Sequence, residues 1–333
     1  MPVFSPSIAV PPVPRLSPRV LGALAALVTV LIWTAFIVVA RASADPARAP
    51  LLTPYDLVLT RLLGAGLVLL PLGWWLSRQQ RRRQDFSGSL WGLSPLPLRT
   101  TLLTGVCGGL LYAMVAYSGF VYAPAAHASV LLPGSLPLWT SLLALLLMGE
   151  RMTRARALGL ACIVAGDLLV GGGSLLHALD GSGVWRGDLL FVVGALAWAT
   201  YSVLVRKLAL AAVQATTAIT VFAFLVYVPA YLLLLLAGLV PGHFFTAPWH
   251  DIVLQMAMQG LGSVVVSGIT FNLMIRYYGP VRSTMLTALV PGLSALSAAL
   301  LLDEPLPWNV LSGLTLVTLG IVFGVRKVGS AKP

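Results

Sequence analysis

A chain of 333 residues in which 58% are apolar and only 9% charged lacks the charge to cover a soluble globule, where about a quarter of residues are charged. A mean hydropathy of +0.93 and unbroken apolar runs at 142–147 and 232–236 also speak against a transmembrane β-barrel, whose strands alternate apolar and polar residues. The net charge of +11 would suggest nucleic acid in a soluble protein; in a membrane protein it reports orientation, and no nucleic-acid partner is expected.

In chain order, residues 1–19 are rich in Pro and Ser and read as a disordered cytoplasmic tail. Ten apolar stretches follow, each near the about 20 residues that a membrane helix needs. They are 20–40, 54–77, 100–122, 125–148, 155–173, 187–206, 216–239, 251–275, 281–302 and 307–326. The first is longer than the about 7–15-residue core of a signal peptide, and it takes part in an internal repeat. The Gly- and Ser-rich connection 174–186 divides the chain and reads as a periplasmic linker, and residues 327–333 as a second cytoplasmic tail. With the N-terminus inside, seventeen of the 21 Lys and Arg fall on the inner side, the Arg81-Arg82-Arg83 run included. Arg41, Arg48, Arg61 and Arg186 make up the outer share. The positive-inside rule therefore places both termini in the cytoplasm.

The two halves repeat. Trp33 to Arg41 (WTAFIVVAR) matches Trp198 to Arg206 (WATYSVLVR) at a shift of 165, and Gly22 matches Gly187. Tyr122-Ala123-Pro124 matches Tyr278-Gly279-Pro280 at a shift of 156. At a shift of 154, Pro137, Glu150, Gly159 and Gly166 fall on Pro291, Glu304, Gly313 and Gly320. The repeats are 20–173 and 187–326. Each has five spans, and an odd number inverts the second copy across the membrane, as in alternating-access carriers. The fold class is thus all-α membrane protein, with ten transmembrane helices in two inverted five-helix repeats.

Candidate site residues follow from spacing. Ser129, Pro133, Pro137 and Thr140 share one face of helix 4, and Ser283, Thr287, Pro291 and Ser294 are their equivalents on helix 9. Prolines inside membrane helices free carbonyls and point to a binding site at the repeat interface. Helix 8 carries Gln255, Gln259, Ser263, Ser267 and Thr270 within a third of its circumference, with Asn272 opposite. Such a polar stripe should face protein or water. Tyr112 on helix 3, and Trp33 and Trp198 on helices 1 and 6, offer rings to a ligand or to packing; Tyr227 and Tyr231 read as core or lipid-facing aromatics. Among ionisable groups, His127 and Asp167 near the outer ends of helices 4 and 5 are candidates for proton coupling. Arg61 could pair with Asp56, and Glu150 with Arg151 or Arg154. No Walker A, H-E-x-x-H or G-x-S-x-G sequence is present, so there is no sequence support for an enzyme, and none for a cofactor or a metal.

Pro137 with LWTSLLALLLMGE and Arg151, Pro291 with LLLDE and Pro305, and the paired glycines resemble the drug/metabolite transporter superfamily, in particular its EamA-type ten-helix members. Trp33, Arg61 and Trp198 also fit that family. The resemblance covers about residues 20–326 and implies a multi-pass carrier of the bacterial inner membrane, often an exporter of amino acids or other small metabolites. It also implies a central cavity between helices 1, 3, 4 and 6, 8, 9. Lined by hydroxyls, amides, rings and Met, such a cavity is expected to be uncharged and to suit a neutral or zwitterionic solute, amino acids best. A hydrophobic-drug efflux carrier is the alternative, and a lipid-binding protein or membrane enzyme using Asp303-Glu304 a more distant one. Partners are a small-molecule substrate and membrane lipids; the oligomeric state is left open, a monomer being compatible.

Overall fold

A computed structural model describes residues 17–150, 152–176, 183–287 and 289–325. Expectations that fall on 1–16, 151, 177–182, 288 and 326–333 lie outside the described residues: most of the first tail, all of the second, the middle of the linker and Arg151.

Ten helices run in chain order: α1 Pro18–Ala44, α2 Pro54–Arg82, α3 Leu98–Tyr122 and α4 Ala125–Met148, α5 Arg154–Leu176, α6 Val184–Lys207 and α7 Ala212–Leu236. The last three are α8 Trp249–Tyr278, α9 Pro280–Leu302 and α10 Trp308–Val325. Among the described residues nine are long and apolar enough to cross a membrane, and the apolar stretch of α10, Trp308–Phe323, is shorter. Several run past the apolar stretch. Ser17, expected in a disordered tail, caps α1 by accepting from the Val20 amide. At the start of α2, Thr53 and Asp56 form a reciprocal capping box. Arg81 and Arg82 lie in the last turn of α2, where cations suit the helix dipole.

Packing follows the repeat. α1 lies against α8 and α9, and α6, its equivalent, lies against α3 and α4. α2 packs on α8 as α7 packs on α3. Two pairs, α2 with α7 and α5 with α10, join a helix to its own counterpart, as a two-fold axis in the membrane requires. The repeated glycines explain the tightest of these. A Cβ on Gly166 would sit 2.6 Å from the Gly313 carbonyl oxygen, and one on Gly320 would strike the Gly159 carbonyl. The two contacts are images of each other, since the repeat pairs Gly166 with Gly320 and Gly313 with Gly159.

Backbone irregularities also recur. α3 contains a π-helical segment at Gly105–Leu111 and α8 one at Met256–Val266. α4 is interrupted at Val130–Gly134, around Pro133, and α9 breaks at Thr287, the position equivalent to Pro133. The loops after α4 and α9 agree as well: Gly149 (φ 68°) and Asp303 (φ 54°) are both left-handed. The Glu150 and Glu304 amides then reach back to the Ala144 and Ala298 carbonyls. Aspartate tolerates this conformation less well than glycine, yet the turn is the same.

Gly166→Leu should destabilise the α5–α10 seam by overpacking, about 1–3 kcal/mol, and lower the unfolding temperature in detergent. Gly292→Leu is the control, because an added Cβ there meets nothing within 4 Å. Equal melting of the two variants would contradict the seam.

Candidate functional site

Trp33 and Trp198, equivalent in the repeat, meet edge to face with ring centres 6.1 Å apart. Phe271 lies 4.9 Å from Trp33, and Tyr112 lies 4.8 Å from Trp198. Trp33 Nε1 donates to Ser267 Oγ at 3.2 Å. Trp33, Trp198 and Tyr112 wall a small cavity of about 10 Å³ with Phe36, Pro133 and Leu136. Trp198 separates it from a second space of about 20 Å³, lined by Arg61, Gly108, Gly109, Thr220 and Ser263. Glycine lets α3 approach here, since a Cβ on Gly109 would lie 2.7 Å from the Ile219 carbonyl oxygen. Each space has room for about one water, so a solute enters only if the rings move apart.

The expectation of an uncharged cavity is corrected by Arg61. Its side chain points into the helix bundle and is 5% exposed. Nη1 donates to Ser263 Oγ at 2.9 Å and lies 3.5 Å from the Tyr117 hydroxyl, which donates to Gln259 Oε1 at 2.8 Å. Ring centres of Phe36, Tyr112 and Tyr117 lie 5.8–6.0 Å from the guanidinium carbon. No carboxylate among the described residues pairs with it. The expected Asp56 partner is committed elsewhere. Asp56 accepts from the Thr53 amide and hydroxyl, from Tyr231 Oη at 2.5 Å, and from the His243 and Phe244 amides. Tyr231 is thereby a capping partner, and Tyr227 donates to the Tyr55 carbonyl.

The helix-8 stripe faces protein, as a polar stripe should, and bonds to three neighbouring helices. Gln255 donates to Ser43 on α1, Gln259 accepts from Tyr117 on α3, and Ser263 meets Arg61 on α2. Thr270 contacts Thr29 on α1. Ser267 accepts from Trp33 on α1, so the stripe is tied to α1, α2 and α3 along its length. Of these residues, Ser263 lines the inner space. Asn272 bridges Tyr201 and Thr216, a helix contact as read from the sequence.

On α4 and α9, Ser129, Pro137, Thr140, Thr287, Pro291 and Ser294 are all buried and line neither central space; Pro133 alone of that set does. Thr140 Oγ1 lies 3.0 Å from Thr284 Oγ1, and Ser129 and Thr287 bond to carbonyls of their own helices. In this conformation these residues form the α4–α9 packing seam. His127 and Asp167 also lie off the central spaces. His127 Nδ1 is 2.9 Å from Asp188 Oδ1 on α6, a partner that the sequence reading missed. Asp167 and Asp188 border a separate pocket of about 170 Å³ between α4, α5 and α6.

One further cluster binds the repeats together. Arg41, at the end of α1, donates through Nε to Glu304 at 2.7 Å and through Nη1 to the Phe120 carbonyl at 2.7 Å. Glu304 Oε2 accepts from the Ala125 amide in the first turn of α4 at 2.8 Å, where the helix dipole favours a carboxylate. At the opposite end the equivalents are apart. Arg206 is exposed, and Glu150 pairs with Arg156 at 3.5 Å. Arg206 and Arg276 line a cleft of about 260 Å³.

Ten helices among the described residues, nine of them long and apolar enough to cross a membrane, and an inverted repeat describe a multi-pass membrane protein. The EamA-like transporter family model matches residues 20–172 and 185–326, and the chain belongs to that family, which makes it a transporter of small molecules. No curated protein matches it. A solved structure described only as "Crystal structure of protein" is similar at a TM-score of 0.55 and 19% identity, over 91% of this chain and 97% of that one. At that identity the likeness shows the fold alone.

Asp56→Ala leaves four donors without an acceptor, since the Thr53 hydroxyl can still turn to the Pro241 carbonyl. Each orphaned donor costs about 1–3 kcal/mol, so the variant should unfold at markedly lower temperature than wild type, and Asp56→Asn at an intermediate one. Wild-type melting of Asp56→Ala would refute the capping role.

Proposed function

We propose that the protein is a secondary transporter that moves small zwitterionic metabolites, amino acids foremost, by alternating access, with export as the net direction. The observation that carries this reading is the meeting of Trp33 and Trp198 at the centre. They are equivalent residues of the two repeats, so the site lies on the pseudo-two-fold axis. A site on that axis keeps its surroundings when the repeats exchange inward and outward roles. Rings there give an apolar body a wall and an ammonium group a cation–π face. The Arg206 end, richest in Lys and Arg, faces the cytoplasm of a bacterial inner membrane, and both termini lie on that side.

The test is counterflow in proteoliposomes preloaded with a panel of neutral amino acids, with a labelled trace of each outside and no imposed gradient. Saturable exchange of several of them is expected. An aromatic contact is worth about 0.5–1.5 kcal/mol, so Trp198→Ala or Tyr112→Ala should raise the half-saturating concentration about tenfold. Exchange of lipophilic cations but of no amino acid, in folded protein, would replace this reading with drug efflux.

A further inference from the structure

We propose that Arg61 is the recognition site for a carboxylate of the transported solute. This deepens the reading above and rests on its central site. Arg61 uses Nη1 alone in hydrogen bonds to the protein, and both partners are neutral. Its other N–H groups belong to a side chain that lines the inner space. Two further donors nearby, Trp198 Nε1 and Gln259 Nε2, are buried without an acceptor among the described residues. The site therefore holds a surplus of donors and one positive charge. An unpaired charge in a membrane interior is costly, and an entering anion relieves that cost. A planar guanidinium matches a carboxylate fork. One cation balances one charge, which favours a carboxylate over a phosphate dianion. The solute's apolar part then lies towards Trp33, Phe36 and Tyr112.

Matched ligands separate the charge from the body. Leucine, isocaproate and leucinamide would be titrated against purified protein, with thermal stabilisation as the readout and competition in counterflow as the second. Leucine and isocaproate should bind about tenfold or more tightly than leucinamide, the size expected of a charge-assisted hydrogen bond. Arg61→Gln should abolish the difference, and Arg61→Lys should keep part of it. Equal binding of leucinamide and leucine to wild type overturns the subsite and leaves the carrier reading standing. Isocaproate bound without leucine would sink the amino-acid assignment and support the subsite. If Arg61→Gln fails to fold, the wild-type comparison decides.

A second inference rests on the other cluster: the geometry assigns to Glu150 and Arg206 a latch that forms in the opposite conformation. The repeat shifts map Arg41 to Arg206 (165), Glu304 to Glu150 (154), Phe120 to Arg276 and Ala125 to Val281 (156). The Arg41 latch is closed, with its two side chains 12% and 9% exposed. At the Arg206 end the equivalents stand open around a cleft. The loops that carry Glu150 and Glu304 share one backbone turn, so both glutamates start from the same geometry. Rocking the repeats closes the cleft. Arg206 then reaches Glu150, Glu150 takes the Val281 amide at the start of α9, and the Arg41–Glu304 contact separates. Arg41 keeps its Asp45 partner at 3.3 Å when Glu304 leaves, and Glu150 exchanges Arg156 for Arg206, so neither state leaves these charges unpaired.

Charge reversal tests the latch. Arg206→Glu and Glu150→Arg should each slow counterflow at least tenfold, and the double swap should restore most of the rate. Single variants and swap failing alike, all folded, would overturn it. As a readout independent of those variants' folding, cysteines at 206 and 150 should cross-link under oxidation during solute exchange, and those at 41 and 304 should cross-link without solute. No cross-link at 206 and 150 during exchange counts against the latch.

Discussion

A repeat of five spans cannot follow another of five without being turned over, and that constraint orders the whole molecule. Every contact at one end has a designated counterpart at the other. Where a helix meets its own counterpart, as α5 meets α10, both ends are satisfied at once, and the seam closes on glycines. Where a contact joins different helices, the two copies need not be made together. Arg41–Glu304 is made and Arg206–Glu150 is not. The asymmetry between chemically equivalent positions is what a two-state carrier needs.

The second constraint is the membrane, which offers no hydrogen bonds. Most buried polar groups here are satisfied locally: threonine and serine hydroxyls return to carbonyls of their own helices, and Asp56 collects five donors at a helix start. Buried polar atoms without a partner occur at several places among the described residues, Trp139 Nε1 and Thr217 Oγ1 included; the centre differs in holding a cation beside them. Arg61, Trp198 and Gln259 retain unspent donor capacity, and the aromatic rings that close over them leave room for about one water in each space. Breaks in α4 and α9 and π segments in α3 and α8 fall beside this region. They give the surrounding helices places to bend without leaving the bundle.

Much of the fold was legible, because length, hydropathy and repeated Pro, Glu and Gly residues are local signals. WTAFIVVAR and WATYSVLVR already marked the two tryptophans that meet. The site was less legible. Arg61 was read against Asp56, five residues away on the same helix, whereas its neighbours come from α1, α3 and α8. An ionisable residue in mid-span was the available signal. The helix-8 stripe faces protein as its spacing implies, but of its residues only Ser263 lines a central space, and spacing does not separate interhelical hydrogen bonding from cavity lining. The hydroxyls of α4 and α9 do share buried faces, but spacing alone cannot tell a packing seam from a cavity wall. Asp188 escaped notice because its partner, His127, is distant in sequence.

Alternation of the two ends about one central site is tested most directly by distances between paired spin labels in lipid nanodiscs. One pair, at Ala47 and Pro305, reports the Arg41 end; the other, at Leu146 and Lys207, reports the Arg206 end. All four positions are exposed. Alternation predicts two populations in which a short distance at one end accompanies a long distance at the other, with solute shifting both in opposite senses. Ends that widen together, or that keep one distance each with and without solute, would contradict it.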